Sequence, residues 1–134
     1  MRLQVIKKEG ITIINDCYNA SPDSMRSSLD VLSAYKDCRK VAILGDMYEL
    51  GDESERAHFE VGKYAKDKVD ILIVIGRYIK NFKDGFNNDN IIMYNTKEEC
   101  IKELKNIVKL NDVVLIKASR GVKLEDVVKN LEEM

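Results

Sequence analysis

The stretch Ile13-Ile14-Asn15-Asp16-Cys17-Tyr18-Asn19-Ala20-Ser21-Pro22-Asp23-Ser24-Met25 sets an apolar strand, a polar turn and a helix start side by side. With Ile11 and Thr12 ahead of it, the strand part is β-branched, as a run covered on both faces should be. Ser21 can accept from the unpaired amides of a following helix. Pro22 lacks only an N–H that has no partner at the first helical position, and Asp23 faces the positive end of the helix dipole. The polar residues between strand and helix, Asp16, Tyr18 and Asn19, gather at the carboxyl end of a buried strand, where open α/β sheets bind ligands. A carboxylate there can accept from sugar hydroxyls, and an amide can both give and take hydrogen bonds at a base edge. The same residues also suit an ordinary turn, since Asp and Asn bond their own backbone readily.

Working outward, the pattern repeats. The helix predicted from Pro22 to about Tyr35 places Met25, Leu29, Leu32 and Tyr35 on one stripe. Lys40-Val41-Ala42-Ile43-Leu44 reads as a second buried strand ending in Gly45-Asp46, and acids from Asp52 to Glu55 open a helix with Ala57, Val61, Tyr64 and Ala65 on its buried face. Ile71-Leu72-Ile73-Val74-Ile75 is a third strand, followed by a short helix over Tyr78 to Lys83 and a turn-rich loop from Asp84 to Asn90. Ile91-Ile92-Met93-Tyr94 is a fourth strand nearer an edge, with a helix from Lys97 to about Val108. Asp112-Val113-Val114-Leu115-Ile116 is the fifth, leading through Lys117-Ala118-Ser119-Arg120-Gly121 into a last helix carrying Leu124, Val127, Val128 and Leu131. Five strand–helix pairs without hairpin signals between them predict an α/β, doubly wound, mostly parallel sheet with helices on both faces and right-handed crossovers. Asp16, Asp46, Gly76, Asn95 and Lys117 then share one rim. Ahead of these pairs, Arg2 to Ile6 reads as a short extended piece turned by Glu9-Gly10.

Length and composition bound the answer. The 134 residues make one domain, and a net charge of −1 with both signs abundant leaves no footprint for nucleic acid or an anionic membrane. Cys17, Cys38 and Cys100 are odd in number and widely spaced, which suggests neither a disulfide framework nor a zinc site. The short apolar run near the start is flanked by charge on both sides, unlike a signal peptide, and no run reaches membrane-spanning length, so a cytoplasmic location is expected.

The rim residues carry the candidate chemistry. Lys117, Ser119 and Arg120 supply donors suited to a carboxylate or phosphate; a basic loop meeting solvent is the alternative. Gly45 to Gly51 is not a phosphate loop, because no glycine pair is followed by Lys-Ser or Lys-Thr, and no Gly-x-Gly-x-x-Gly occurs. His58 adjoins a buried helix face and is read as a brace for the Asp46 to Gly51 loop rather than as a base. A receiver-like module is a competing reading, since Asn15-Asp16 and Lys117 end the first and fifth strands. That fold needs a phosphate-accepting aspartate after the third strand, and Ile75-Gly76-Arg77 has none. A free-standing nucleotide-binding module is another.

Four segments, in order, carry a family resemblance: Arg2-Leu3-Gln4; Asp16-Cys17-Tyr18-Asn19-Ala20-Ser21-Pro22-Asp23-Ser24-Met25; Leu44-Gly45-Asp46-Met47-Tyr48-Glu49-Leu50-Gly51 with His58 and Gly62 behind it; and Lys117-Ala118-Ser119-Arg120. They resemble the C-terminal domain of the Mur ligase superfamily, in its D-alanyl-D-alanine-adding branch. The resemblance implies a Rossmann-like domain over residues 11–134, with 1–10 at the junction to a missing central domain. It implies ATP contacts from Arg2 (phosphates), Asp16 (ribose), Tyr18 and Asn19. It also implies dipeptide contacts from Lys117, Ser119 and Arg120, and loop support from Asp46, Glu49 and His58.

The implied reaction is amide formation in peptidoglycan synthesis. The carboxylate of UDP-N-acetylmuramoyl-tripeptide takes the γ-phosphoryl group of ATP, and the amine of D-alanyl-D-alanine attacks the acyl phosphate. The phosphate loop, the Mg2+ ligands and the catalytic lysine of the family belong to the missing domain, so this domain alone is expected to be inactive, and no catalytic residue on it can be named. A sister ligase with another amino-acid acceptor is the near alternative. Three positions depart from the family pattern. Cys17 stands for serine and Ser21 for asparagine, both compatible with the turn, and Ala118 stands for a glycine, which a positive φ there would strain.

Overall fold

A computed structural model describes residues 3–134. The chain forms strands β1 (Gln4–Lys8) and β2 (Ile11–Asp16), helix α1 (Pro22–Ser33), β3 (Lys40–Leu44), α2 (Ser54–Ala65), β4 (Ile71–Ile75), α3 (Ile79–Phe86), β5 (Ile91–Tyr94), α4 (Lys97–Ile107), β6 (Val113–Lys117) and α5 (Glu125–Glu132). The strands lie in one sheet in the order β1-β2-β6-β3-β4-β5. From β2 to β5 every pairing is parallel; β1 runs antiparallel to β2.

Alternation along the strands explains the two-sided core. Ile14, Ala42, Leu44, Leu72, Val74 and Leu115 point to a layer made by α1, α2 and α3. Ile13, Val41, Ile43, Ile73, Ile75, Val114 and Ile116 point to the opposite layer, made by α4 and α5. The chain steps from β2 through β3 and β4 to β5 along the first face and returns to β6 along the second, so all four crossovers share one hand. Strand β6 sits at the centre, buried along its whole length. Because β2 exits to one face and β6 to the other, the sheet has its switch point between them, and a crevice opens at their carboxyl ends.

The expected start of α1 is realised in full: Ser21 Oγ accepts from Ser24 N–H at 3.1 Å, the Ser24 hydroxyl accepts from Ser21 N–H, and Pro22 fills the first helical position. Two expectations need correction in their bounds. The short extended piece expected over Arg2 to Ile6 is, from Gln4 to Lys8, a sixth strand, hairpinned to β2 through the expected Glu9-Gly10 turn, where both residues take positive φ. As an edge strand it exposes most of its residues.

The second correction concerns α3, which runs on through Asp84, Gly85 and Phe86, all assigned from sequence to a loop, and stops at Asn87 in the left-handed conformation. Gly85, within the expected turn-rich loop, is a helix–helix contact. A Cβ on Gly85 would overlap the Phe59 carbonyl of α2, and one on Gly62 would overlap the Phe82 carbonyl of α3. The two helices thus cross with their backbones touching. Gly85→Ala gains up to about 1 kcal/mol of helix propensity but forces the helices apart, at about 1–3 kcal/mol. We expect a net loss of stability, read as a lower urea midpoint; a raised midpoint would refute the close-crossing argument.

Candidate functional site

The turn after β2 and the end of β6 meet at the switch point. Parallel register sets Asp16 opposite Lys117, and the ammonium donates to Asp16 Oδ2 at 2.8 Å and to the Asn19 carbonyl at 2.9 Å. Ser28, on the buried face of α1, donates to the same Asp16 Oδ2 at 2.5 Å. Among the described residues Asp16 Oδ1 accepts no hydrogen bond. Tyr18 is 41% exposed, and the Arg120 guanidinium lies 5.3 Å from its ring centroid, so the β2 turn and the β6 loop also meet at the surface. Asp16, Tyr18, Asn19, Ser28 and Lys117 line a cleft of about 410 Å3 with Leu3 and Val31 on its apolar wall.

A second cleft of about 460 Å3 opens farther along the rim, where Asp46, Tyr48, Arg77, Asn95 and Gly121 converge. Here the loop after β3 is held from three sides. The buried Asp46 carboxylate accepts from Arg77 N–H at 3.0 Å and Tyr78 N–H at 3.2 Å, catching the start of α3. Gly76 (φ +120°) allows this approach, since a Cβ there would lie 2.6 Å from the carboxylate. The Asp46 carbonyl accepts from Ser119 N–H, and Ser119 Oγ accepts from Tyr48 N–H at 2.7 Å. His58 Nε2 accepts from Met47 N–H at 2.9 Å, while Nδ1 meets the Ser54 carbonyl at 2.6 Å. An amide can only donate and a carbonyl can only accept, so the imidazole is the neutral Nδ1–H tautomer. It is fully buried, stacked on Tyr78 and edge-on to Phe82.

The residues named from sequence therefore divide. Asp16, Tyr18, Asn19, Lys117 and Arg120 come together. Ser119 turns the other way, to the Tyr48 amide, and Asp46 and His58 meet it there around one loop. Glu49 is exposed on that loop with a positive φ of 63°. Arg2 lies outside the described residues. Lys117 departs most from expectation: it is 3% exposed and bound to the turn rather than offered to the loop. Ala118 is buried without a positive φ, so the expected strain is absent, and its methyl group faces Gly45. Sequence reasoning missed Ser28, although a serine three residues after Met25 on a buried stripe was a usable signal.

Among the described residues no three His, Cys, Asp or Glu side chains gather as a metal site. Burial pushes the Cys17 and Cys100 thiols up to about 12, far from reactive. No helix among the described residues is long and apolar enough to cross a membrane.

His58 supplies a pH test. Burial lowers its pKa from the ordinary 6.5, outweighing the opposing pull of the Ser54 carbonyl and Asp46. Below 6.5 the unfolded chain therefore binds a proton that the folded one refuses, so stability falls as pH drops from 6.5 toward the lower folded value. His58 is the single histidine of the chain. We expect the urea midpoint to drop between about pH 7.5 and 5.5, and to drop less in His58→Gln. An equal drop in both proteins would refute this assignment.

Comparisons with known proteins bear on the family and the fold. The family profile described as "Mur ligase, glutamate ligase domain" matches residues 1–120. The UDP-N-acetylmuramoyl-tripeptide--D-alanyl-D-alanine ligase of Bacillus subtilis (strain 168) is 39% identical over 99% of this chain and 31% of its own length. The ligase of the same name from Escherichia coli (strain K12) is 32% identical over 93% of this chain and 28% of its own. The chain spans less than a third of the length of the curated relatives it matches. Among solved structures, MurF from Acinetobacter baumannii superposes with a TM-score of 0.91 at 28% identity, over 99% of this chain and 30% of that one. MurF ligase from Thermotoga maritima in complex with ADP gives 0.82 at 34%, over 98% and 30%. With its five parallel strands, its switch-point cleft and a profile match over most of its length, the chain belongs to the Mur ligase glutamate ligase domain family.

Proposed function

We propose that this chain is the C-terminal domain of an ATP-dependent ligase that joins D-alanyl-D-alanine to UDP-N-acetylmuramoyl-tripeptide in peptidoglycan synthesis. The observation that carries the reading is the switch-point cleft. Its Asp16 carboxylate is fastened through one oxygen and open at the other, with Tyr18 and Asn19 beside it. A carboxylate so placed suits a ribose diol, and an exposed aromatic with an amide suits the neighbouring parts of a nucleotide. The curated names quoted above favour D-alanyl-D-alanine over another acceptor.

On this reading ATP and Mg2+ are held chiefly by a phosphate-loop domain outside the chain, with Arg2 reaching the phosphates from the junction. The loop of Ser119 and Arg120 faces the dipeptide: Ser119 Oγ, already accepting from Tyr48 N–H, keeps its own proton to donate, and Arg120 is exposed. The tripeptide carboxylate takes the γ-phosphoryl group, and the dipeptide amine displaces phosphate from the resulting acyl phosphate. Water would destroy that intermediate, so the domain acts as a wall that closes the cleft.

Two measurements test the proposal. The complete ligase should form product with D-alanyl-D-alanine and not with single amino acids; product with a single amino acid alone would transfer the chain to a sister activity. Calorimetry on the isolated domain should give ATP binding weaker than about 1 mM, because one edge of contacts without phosphate anchors cannot offset the entropy of association. Micromolar binding would favour a free-standing nucleotide module.

A further inference from the structure

Resting on the nucleotide reading of Asp16, we infer that Ser28 and Lys117 are positioning residues for the nucleotide sugar: together they hold one oxygen of Asp16 so that the other meets the ribose. This moves Lys117 from the dipeptide end of the site to the nucleotide end, and it brings in Ser28, to which the sequence assigns no role.

The argument is geometric. Both donors converge on the same atom, Asp16 Oδ2, at 2.5 Å from Ser28 Oγ and 2.8 Å from Lys117 Nζ. They come from different elements, α1 on one side and β6 on the other, so the carboxylate is gripped across the crevice and its rotation is blocked. Oδ1 is left without a partner among the described residues, and Asp16 lines the cleft. Lys117 also holds the Asn19 carbonyl at 2.9 Å, which fixes the course of the turn carrying Tyr18. Ser28 and Lys117 are each 3% exposed, so neither side chain is available as a mobile surface donor. With two of its three N–H groups on Asp16 and Asn19, the Lys117 ammonium is poorly placed to meet a dipeptide carboxylate over the β6 loop. Pre-set acceptors bind more tightly because less freedom is lost on binding, and a carboxylate released from Ser28 would have to be ordered anew by the ligand.

The test compares ATP with 2′-deoxy-ATP and 3′-deoxy-ATP in the complete ligase. If Asp16 reads the sugar, native enzyme should prefer ATP over at least one deoxy analogue by about tenfold in kcat/KM, the size expected for a hydrogen bond to a charged group. Ser28→Ala should raise the KM for ATP, leave the KM for the dipeptide within about twofold, and shrink the preference for ATP toward unity. A purely structural role for Ser28 would depress ATP and deoxy analogues equally, and that outcome, or a rise confined to the dipeptide KM, overturns the inference. Ser28→Thr retains the hydroxyl and should restore the preference. Lys117→Met should likewise act on the ATP KM; should that variant fail to fold, the serine variants decide alone. If the native enzyme makes no distinction between ATP and either deoxy analogue, the nucleotide reading of Asp16 itself fails, separately from the role of Ser28.

Discussion

The ammonium of Lys117 is withdrawn from water, and the arrangement of the rim follows from how that withdrawal is offset. Burying a lone charge costs several kcal/mol, so the group must find an anion and further acceptors close at hand. Asp16 and the Asn19 carbonyl supply them, 2.8 and 2.9 Å away. The pair forms only because β2 and β6 are neighbours in parallel register, with Asp16 directly beside Lys117 although 101 residues separate them in the chain. A slip of one residue in either strand would turn that strand's side chain to the opposite face and break the pair. The ion pair therefore reports on register as much as on charge, and it ties the end of the central strand to the turn where a ligand can bind.

The rest of the rim is held by backbone amides meeting buried acceptors. Asp46 collects two amides at the start of α3, His58 one from the loop after β3, and Ser119 one from the same loop, while the Ser119 amide bonds back to the Asp46 carbonyl. Each of these amides would cost free energy if buried without a partner. Together they join the exits of β3, β4 and β6 into one stiff surface. On the proposed reading, a wall of this kind suits closure as a rigid body rather than rearrangement of individual loops.

Much of this was legible in the sequence, for identifiable reasons. The strand–turn–helix reading of Ile13 to Met25 survived because capping chemistry is local: Ser21, Pro22 and Asp23 need no distant partner to define a helix start. The five parallel strands were legible from their β-branched runs, and the rim from where those runs stop. What escaped depended on contacts between distant residues. Strand order cannot be read from a single chain, so the pairing of Lys117 with Asp16 was invisible and its charge looked available. Gly85 fell within an expected loop because its reason for being glycine lies on another helix. Strand β1 was legible only as a short extended piece, because its exposed edge carries no buried face to fix its bounds, and Ser28 escaped because a buried stripe is marked by its apolar residues.

Ala118 and Gly45 show how such distant contacts reach into sequence variation. The two backbones run side by side at the sheet's end, and a Cβ added to Gly45 would stand 2.8 Å from the Ala118 methyl group. The gap between them has room for one methyl group and not two. These positions are thus coupled by exclusion: with alanine in the last strand's exit, a side chain in the third's would force the two exits apart. Glycine at position 118 would ease that crowding without removing it, since a Cβ at position 45 would still meet Val122 Cγ1 at 3.3 Å and Leu124 Cδ1 at 3.4 Å.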